Sequence, residues 1–104
     1  MLLMKKVFFD AIRSGRKATT VRFWRRQMVR PGEVHTMPGL GKVRIDEVRE
    51  VALSDLTDAD AVADGFASAA DLTAALKRMY PTLGATGAAD GRTLYAVRFT
   101  YPAQ

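Results

Sequence analysis

Gly15-Arg16-Lys17-Ala18-Thr19-Thr20-Val21-Arg22 is the stretch on which the fold of this 104-residue chain turns. Ahead of it, Phe8 and Ile12 stand four apart with Ala11 beside them. That spacing marks one face of a helix, so a short helix is predicted over Val7 to Ser14, with Gly15 placed to end it. Beyond it, Ala18 to Phe23 is rich in Thr, Val and Phe, side chains that favour a strand. A helix-to-strand turn with so many cations is also the best candidate for a site. A turn at Gly15 exposes backbone N–H groups, and Arg16, Lys17 and Arg22 can supply charge-assisted hydrogen bonds to a phosphate or a base carbonyl. Thr19 and Thr20 are adjacent in a strand, so only one of them can share a cavity with Lys17; spacing does not select which.

Working outward, Met1 to Lys6 reads as an opening strand. Arg30-Pro31-Gly32-Glu33 is a turn signal followed by a short strand at Val34 to Met37, and Pro38-Gly39-Leu40-Gly41 is a second turn. Lys42-Val43-Arg44-Ile45 alternates as a strand does, and the apolar phase shifts after Asp46-Glu47. Such a shift marks a bulge or bend in one long strand, a device that curls a sheet toward a barrel. Residues 54 to 80 are predicted helical in two pieces separated by Gly65-Phe66. Thr57 with Asp60, and Ser68 with Asp71, supply the N-terminal caps. Leu72, Leu76 and Met79 form a stripe assigned to the core, and Tyr80-Pro81 ends the second piece. Thr82 to Gly91, with three glycines, is expected to be a surface loop. Thr93 to Tyr101 places Tyr95, Val97, Phe99 and Tyr101 on one side of a closing strand.

Composition narrows the function. Apolar and aromatic residues make up 48% of the chain, enough for one core and too little for two, so residues 1–104 are expected to form one domain, a monomer or a weak dimer. There is no cysteine, hence no disulfide framework, no thiolate metal site and no cysteine nucleophile; a cytoplasmic location fits. No stretch is apolar for long enough to be a signal peptide or a membrane span, and no membrane partner is expected. The net charge of +5 is unevenly spread. Residues 1 to 30 hold nine Lys and Arg against Asp10, a balance of +8, while the remainder holds seven bases against ten acids, a balance of −3. A basic face of this kind attracts phosphate or another anion.

Arg22-Phe23-Trp24-Arg25-Arg26 interleaves aromatics with cations, the combination that stacks on a base and neutralises a backbone. Trp24 and Arg25 are therefore candidate ligand-binding residues beside Arg16, Lys17, Thr19 and Arg22, while Phe23 suits the core. Other signals are discounted. Gly39-Leu40-Gly41-Lys42 lacks the distal glycine and the final hydroxyl residue of a phosphate loop, having Thr36 and Val43 in those places. Asp55, Asp58, Asp60 and Asp64 lack the glycine and terminal glutamate of a calcium loop, and acids at helix starts explain the first three. His35 stands alone. No metal and no cofactor is expected.

Taken in order, Gly15-Arg16-Lys17-x-x-Thr20-x-Arg22, Arg30-Pro31-Gly32, Asp55-Leu56-Thr57 with Ala61 and Asp64-Gly65-Phe66, Tyr80-Pro81 and Leu94-Tyr95-x-Val97-x-Phe99 resemble the ASCH family. The resemblance spans nearly the whole chain. It implies an α+β domain of the PUA-like kind, a small mixed or antiparallel β-barrel with two to three short helices. It also implies a cleft lined by the Gly-Arg-Lys loop, and a ligand that is RNA or a modified nucleoside. Some members of the family are small amidohydrolases that deacetylate acetylcytidine with a Lys, a Thr and a Glu. The matching positions are Lys17, Thr20 and Asp64, as base, nucleophile and acid. The acid is one methylene shorter here, and a displacement of roughly 1 Å in a catalytic group can cost about a hundredfold in rate. Ala18 stands where many relatives carry another hydroxyl residue. The leading expectation is thus an RNA- or nucleoside-binding domain, with the amidohydrolase second and a ribonuclease working from the same cleft third.

Overall fold

A computed structural model describes residues 1–84 and 88–103. A single 3₁₀ turn, Lys6–Phe8, leads into α1 (Phe9–Arg13), and Gly15, at φ +81°, reverses the chain where a side chain would be strained. β1 (Thr19–Trp24), β2 (Val34–Met37) and β3 (Gly41–Val51) follow, then α2 (Asp58–Ala63), α3 (Ala69–Met79), the two-residue β4 (Ala88–Ala89) and β5 (Arg92–Thr100). The strands form one antiparallel sheet in the order β1-β5-β3-β2, a half-barrel, with β4 paired to the start of β5. β1 therefore lies at an edge and makes its ladder with β5 alone, from Thr19 opposite Arg98 to Trp24 opposite Thr93. The phase shift after Asp46 is a bulge: the register of β3 against β5 slips between Ile45 and Glu47. This α+β half-barrel with short helices is the PUA-like architecture expected from the sequence.

Both faces of the sheet are buried, and the two periods of the sequence say why. Val21, Phe23, Val51 and Leu94 pack on one face against Leu72 and Leu76 of α3 and Ala61 of α2. Val43, Ile45, Val97 and Phe99 pack on the other against Ile12 of α1, Met37 and Leu2. The caps form as predicted: Thr57 Oγ1 accepts from Asp60 N at 3.1 Å while Asp60 accepts from Thr57 N at 2.9 Å, and Ser68 Oγ accepts from Asp71 N. Asp58 ties the two helix starts together by accepting from Ala69 N at 2.8 Å.

Three expectations are corrected. Met1 to Lys5 is not a strand: among the described residues it makes one backbone bond to the sheet, Leu2 N to Thr36 O, with side-chain ties from Arg22 to Leu3 O and from Met1 N to His35 Nδ1, and it buries Leu2. Met79 is 44% exposed rather than core. Thr82 to Gly91 is more than a surface loop, because Leu83 is buried and β4 pairs with β5; residues 85–87 lie outside the described residues. No helix of the described residues is long and apolar enough to cross a membrane.

Because the two clusters sit on opposite faces of one sheet, neither is dispensable. Leu72→Ala and Ile45→Ala, each emptying a wholly buried site, are expected to cost about 2–5 kcal/mol apiece in urea unfolding. Thr57→Ala, which removes only a cap, should cost about 1 kcal/mol.

Candidate functional site

Where α2 ends, Asp64 caps it and Gly65, at φ +93°, turns the chain away in the left-handed region. The turn brings both the carboxylate and the carbonyl of Asp64 to face the loop before β1. That loop is clamped on three sides: Lys17 N donates to Ala11 O of α1, Ala18 N to Ala63 O of α2 at 2.8 Å, and Phe99 N of β5 to Ala18 O. Lys17 is thereby driven inward and is 3% exposed, as is Asp64. Its Nζ donates to Thr19 O at 2.9 Å, to Asp64 O at 2.8 Å and to Asp64 Oδ1. It also lies 4.7 Å from the centre of the Phe8 ring. All three ammonium protons are committed.

A cavity of about 360 Å³ opens on this pair. Thr20, Val21 and Arg22 all line it, although consecutive strand residues point to opposite faces. The cavity must therefore run along the free edge of β1. Its walls are Phe8 and Lys5 from the N-terminal segment, Phe66 after α2, and Leu76, Met79 and Tyr80 from the end of α3. The exposed Met79 is thus a wall of this cavity. Thr20, 6% exposed, accepts at Oγ1 from Arg22 Nε at 3.0 Å, and the Arg22 guanidinium also donates to Leu3 O. This leaves the Thr20 hydroxyl proton, three guanidinium N–H groups and the second Asp64 oxygen without a partner among the described residues.

Burial sets the protonation balance. It pushes the Lys17 ammonium below its usual range, against the pull of Asp64, and raises the Asp64 carboxyl, against the pull of Lys17 and Arg22. It also lowers the Arg22 guanidinium. Each shift disfavours the charged form, the direction desolvation dictates.

Of the residues singled out from the sequence, Lys17, Thr20, Arg22 and Asp64 come together. Thr20, rather than Thr19, faces the cavity with Lys17. Thr19 lines a separate cavity of about 170 Å³ with Arg49, Asp60 and Arg98, and its carbonyl accepts from Lys17. Arg16 is exposed and bonds to Ser14 Oγ, and Arg25 donates to Asp90 O at 2.7 Å. Trp24 is partly buried against the cluster that holds Val43, Ile45, Val97 and Phe99, with its ring 5.6 Å from that of Tyr95. None of these three lines the main cavity. Sequence reading missed Phe8, Phe66, Tyr80 and Lys5. Tyr80 carried a signal, being four residues beyond Leu76 on the same helical face; Phe8 resembled ordinary core, and nothing marked Lys5.

No family model matches the sequence, and no curated protein does. Solved structures do match. An ASCH domain from Lactobacillus crispatus JV V101 superposes with a TM-score of 0.69 at 18% identity, covering 90% of this chain and 69% of that one. The hypothetical protein PH0355 gives 0.72 at 14% identity, with 94% of each chain covered. Protein EF3133 from Enterococcus faecalis V583 gives 0.64 at 15% identity, over 94% of this chain and 74% of that one. The chain has the fold of an ASCH domain.

Removing one member of a buried ion pair leaves a charge with no partner. Lys17→Met is expected to cost about 3–5 kcal/mol near neutral pH. Asp64 would then have a folded pKa well above its ordinary 3.8. A carboxyl raised by folding stabilises when protonated, so the variant should lose stability as pH rises from about 4 and level off above the folded pKa. Urea unfolding across that range checks the sign; a variant least stable in acid would contradict it. Lys17→Met with Asp64→Leu should recover much of the loss.

Proposed function

We propose that this domain binds RNA or a modified nucleoside by taking one base into the cavity beside β1. The observation that carries the reading is the composition of that cavity. Phe8, Phe66 and Tyr80 supply aromatic walls, while the Asp64 oxygen, the Thr20 hydroxyl and the Arg22 guanidinium supply an acceptor and donors side by side. A nucleobase presents two apolar faces and an edge of mixed donors and acceptors, and carboxylates, hydroxyls and guanidinium groups are the groups that read such edges. The volume, near the lower end of ligand pockets at roughly 300–1,000 Å³, suits a single nucleoside. A fold shared with an ASCH domain is consistent with this use.

Binding of short single-stranded RNA should fall with salt, with a log–log slope of roughly −0.7 per phosphate neutralised. Phe66→Ala should weaken it by about 1–3 kcal/mol, the worth of a stacked base, while leaving that slope unchanged. Fluorescence anisotropy at several salt concentrations measures both. Affinity indifferent to salt, or to Phe66→Ala, would sink the reading.

One observation favours a second reading, an amidohydrolase on an acylated cytidine. Burial moves Lys17 and Asp64 toward exchanging their shared proton, and the Thr20 hydroxyl lines the same cavity. With that proton on Asp64, Lys17 is an amine able to accept the Thr20 proton as Oγ1 attacks the acyl carbon. Asp64 then protonates the departing nitrogen, and water cleaves the threonyl ester. Acetylcytidine incubated with the protein should lose its acetyl group, and Lys17→Ala should abolish the loss. Absence of turnover, or turnover indifferent to Lys17→Ala, rules this reading out.

A further inference from the structure

The charged groups of the cavity do not balance. Among the described residues, Lys5, Lys17 and Arg22 line it against Asp64 alone, three cations to one carboxylate. Lys17 and Asp64 satisfy each other. Arg22 is half-buried, yet both of its hydrogen bonds go to neutral groups, the Thr20 hydroxyl and the Leu3 carbonyl, and no carboxylate of the described residues lies within salt-bridge distance of it. Lys5, at the mouth, likewise has no acidic partner among the described residues. The Asp64 carboxylate acts on Arg22 but is bonded to Lys17; a guanidinium withdrawn from water with no carboxylate in contact is costly, and an anion brought in by a ligand removes that cost. The guanidinium is a planar fork that suits a tetrahedral oxyanion, and two of its five N–H groups are committed.

We infer that the ligand enters as a nucleotide unit rather than a neutral nucleoside, its phosphate held between Lys5 at the mouth and the uncommitted N–H groups of Arg22. The inference rests on the reading of the cavity as a nucleobase site and adds the anion to it. The phosphate is either the 5′-phosphate of a free nucleotide or the phosphodiester of an RNA strand whose base occupies the cavity. Both present the same oxygens to the same two cations. Burial, which lowers the Arg22 guanidinium, is also what makes an incoming anion most effective there.

Calorimetric titration of the whole chain with the four ribonucleosides, their 5′-monophosphates, a dinucleotide with one internal phosphodiester, and inorganic phosphate tests this. For the base that binds, the monophosphate or the dinucleotide should bind at least about tenfold tighter than the nucleoside, the worth of a charge-assisted hydrogen bond. Whichever of the two binds tighter assigns the source. Arg22→Gln should abolish the preference. Because Arg22 also anchors Leu3, Lys5→Gln is the cleaner variant: Lys5 is exposed and makes no ion pair among the described residues. It should bring the nucleotide-to-nucleoside ratio toward one. Equal affinity for nucleoside and nucleotide, or a ratio unmoved by Lys5→Gln, overturns the phosphate site and leaves the base site standing. Inorganic phosphate binding with no contribution from any base overturns the nucleotide and the base reading together, leaving a bare anion site.

Discussion

Two opposite charges buried side by side set the terms for the rest of this fold. Withdrawing an ammonium and a carboxylate from water costs several kcal/mol per ion even after relaxation. Lys17 and Asp64 offset that cost only because each contact is made: the carboxylate, the Asp64 carbonyl and the Thr19 carbonyl all accept from one Nζ. The requirement reaches well beyond the pair. The end of α2 must lie against the loop before β1, which the bond from Ala18 N to Ala63 O enforces, and Gly65 must let the chain leave without pulling Asp64 away. A side chain there would meet Lys17 only at ordinary contact distance, so the glycine is needed for its backbone angle and not for space. With α2 fixed, Asp58 sets the start of α3, and α3 supplies a wall of the cavity.

The edge position of β1 completes the site. An unpaired strand edge is usually a liability, managed by shortening, charge or a cover of other elements. Here the edge opens on a cavity walled by the N-terminal segment and the end of α3. This explains how Thr20, Val21 and Arg22 can all line one space despite the alternation of a strand. It also explains why the basic loop is not simply a basic surface. Of the cations between Arg13 and Arg26, two turn inward, while Arg13, Arg16, Arg25 and Arg26 stay exposed.

What was legible in the sequence followed from local rules. The caps at Thr57 and Ser68 are short-range hydrogen-bonding patterns, the bulge after Asp46 is a phase error in a period of two, and the alternation of β5 is a buried face. The juxtaposition of Lys17 with Asp64, 47 residues apart, came from resemblance, because no local rule joins them. Non-local packing governed the remainder. Trp24 stands between two apparent ligand residues, Arg22 and Arg25, yet its ring packs against Tyr95. Met79 fits the helical stripe but falls one turn past the core, at the cavity mouth. Met1 to Lys5 has the composition of a strand and lies beside the edge strand β2, but a single backbone bond, Leu2 N to Thr36 O, makes no ladder.

The choice between holding a ligand and transforming it turns on the hydroxyl of Thr20. A nucleophilic threonine needs a base within hydrogen-bond reach, and its neighbour here is the Arg22 Nε, a donor. That contact polarises the hydroxyl and improves it as a donor to a ligand while taking no proton from it. Lys17, the only amine besides Lys5 among the described residues that line the cavity, would have to leave contacts worth about 1.5–3 kcal/mol each for hydrogen bonds to a charged group. The shorter acid adds to the difficulty: Asp64 holds Lys17 with its carbonyl as well as its carboxylate, whereas a longer side chain could carry the ion pair further from the backbone. Recognition is available from the arrangement as it stands. Turnover requires a ligand whose own groups replace the bonds that Lys17 gives up, and that is a demand on the substrate as much as on the protein.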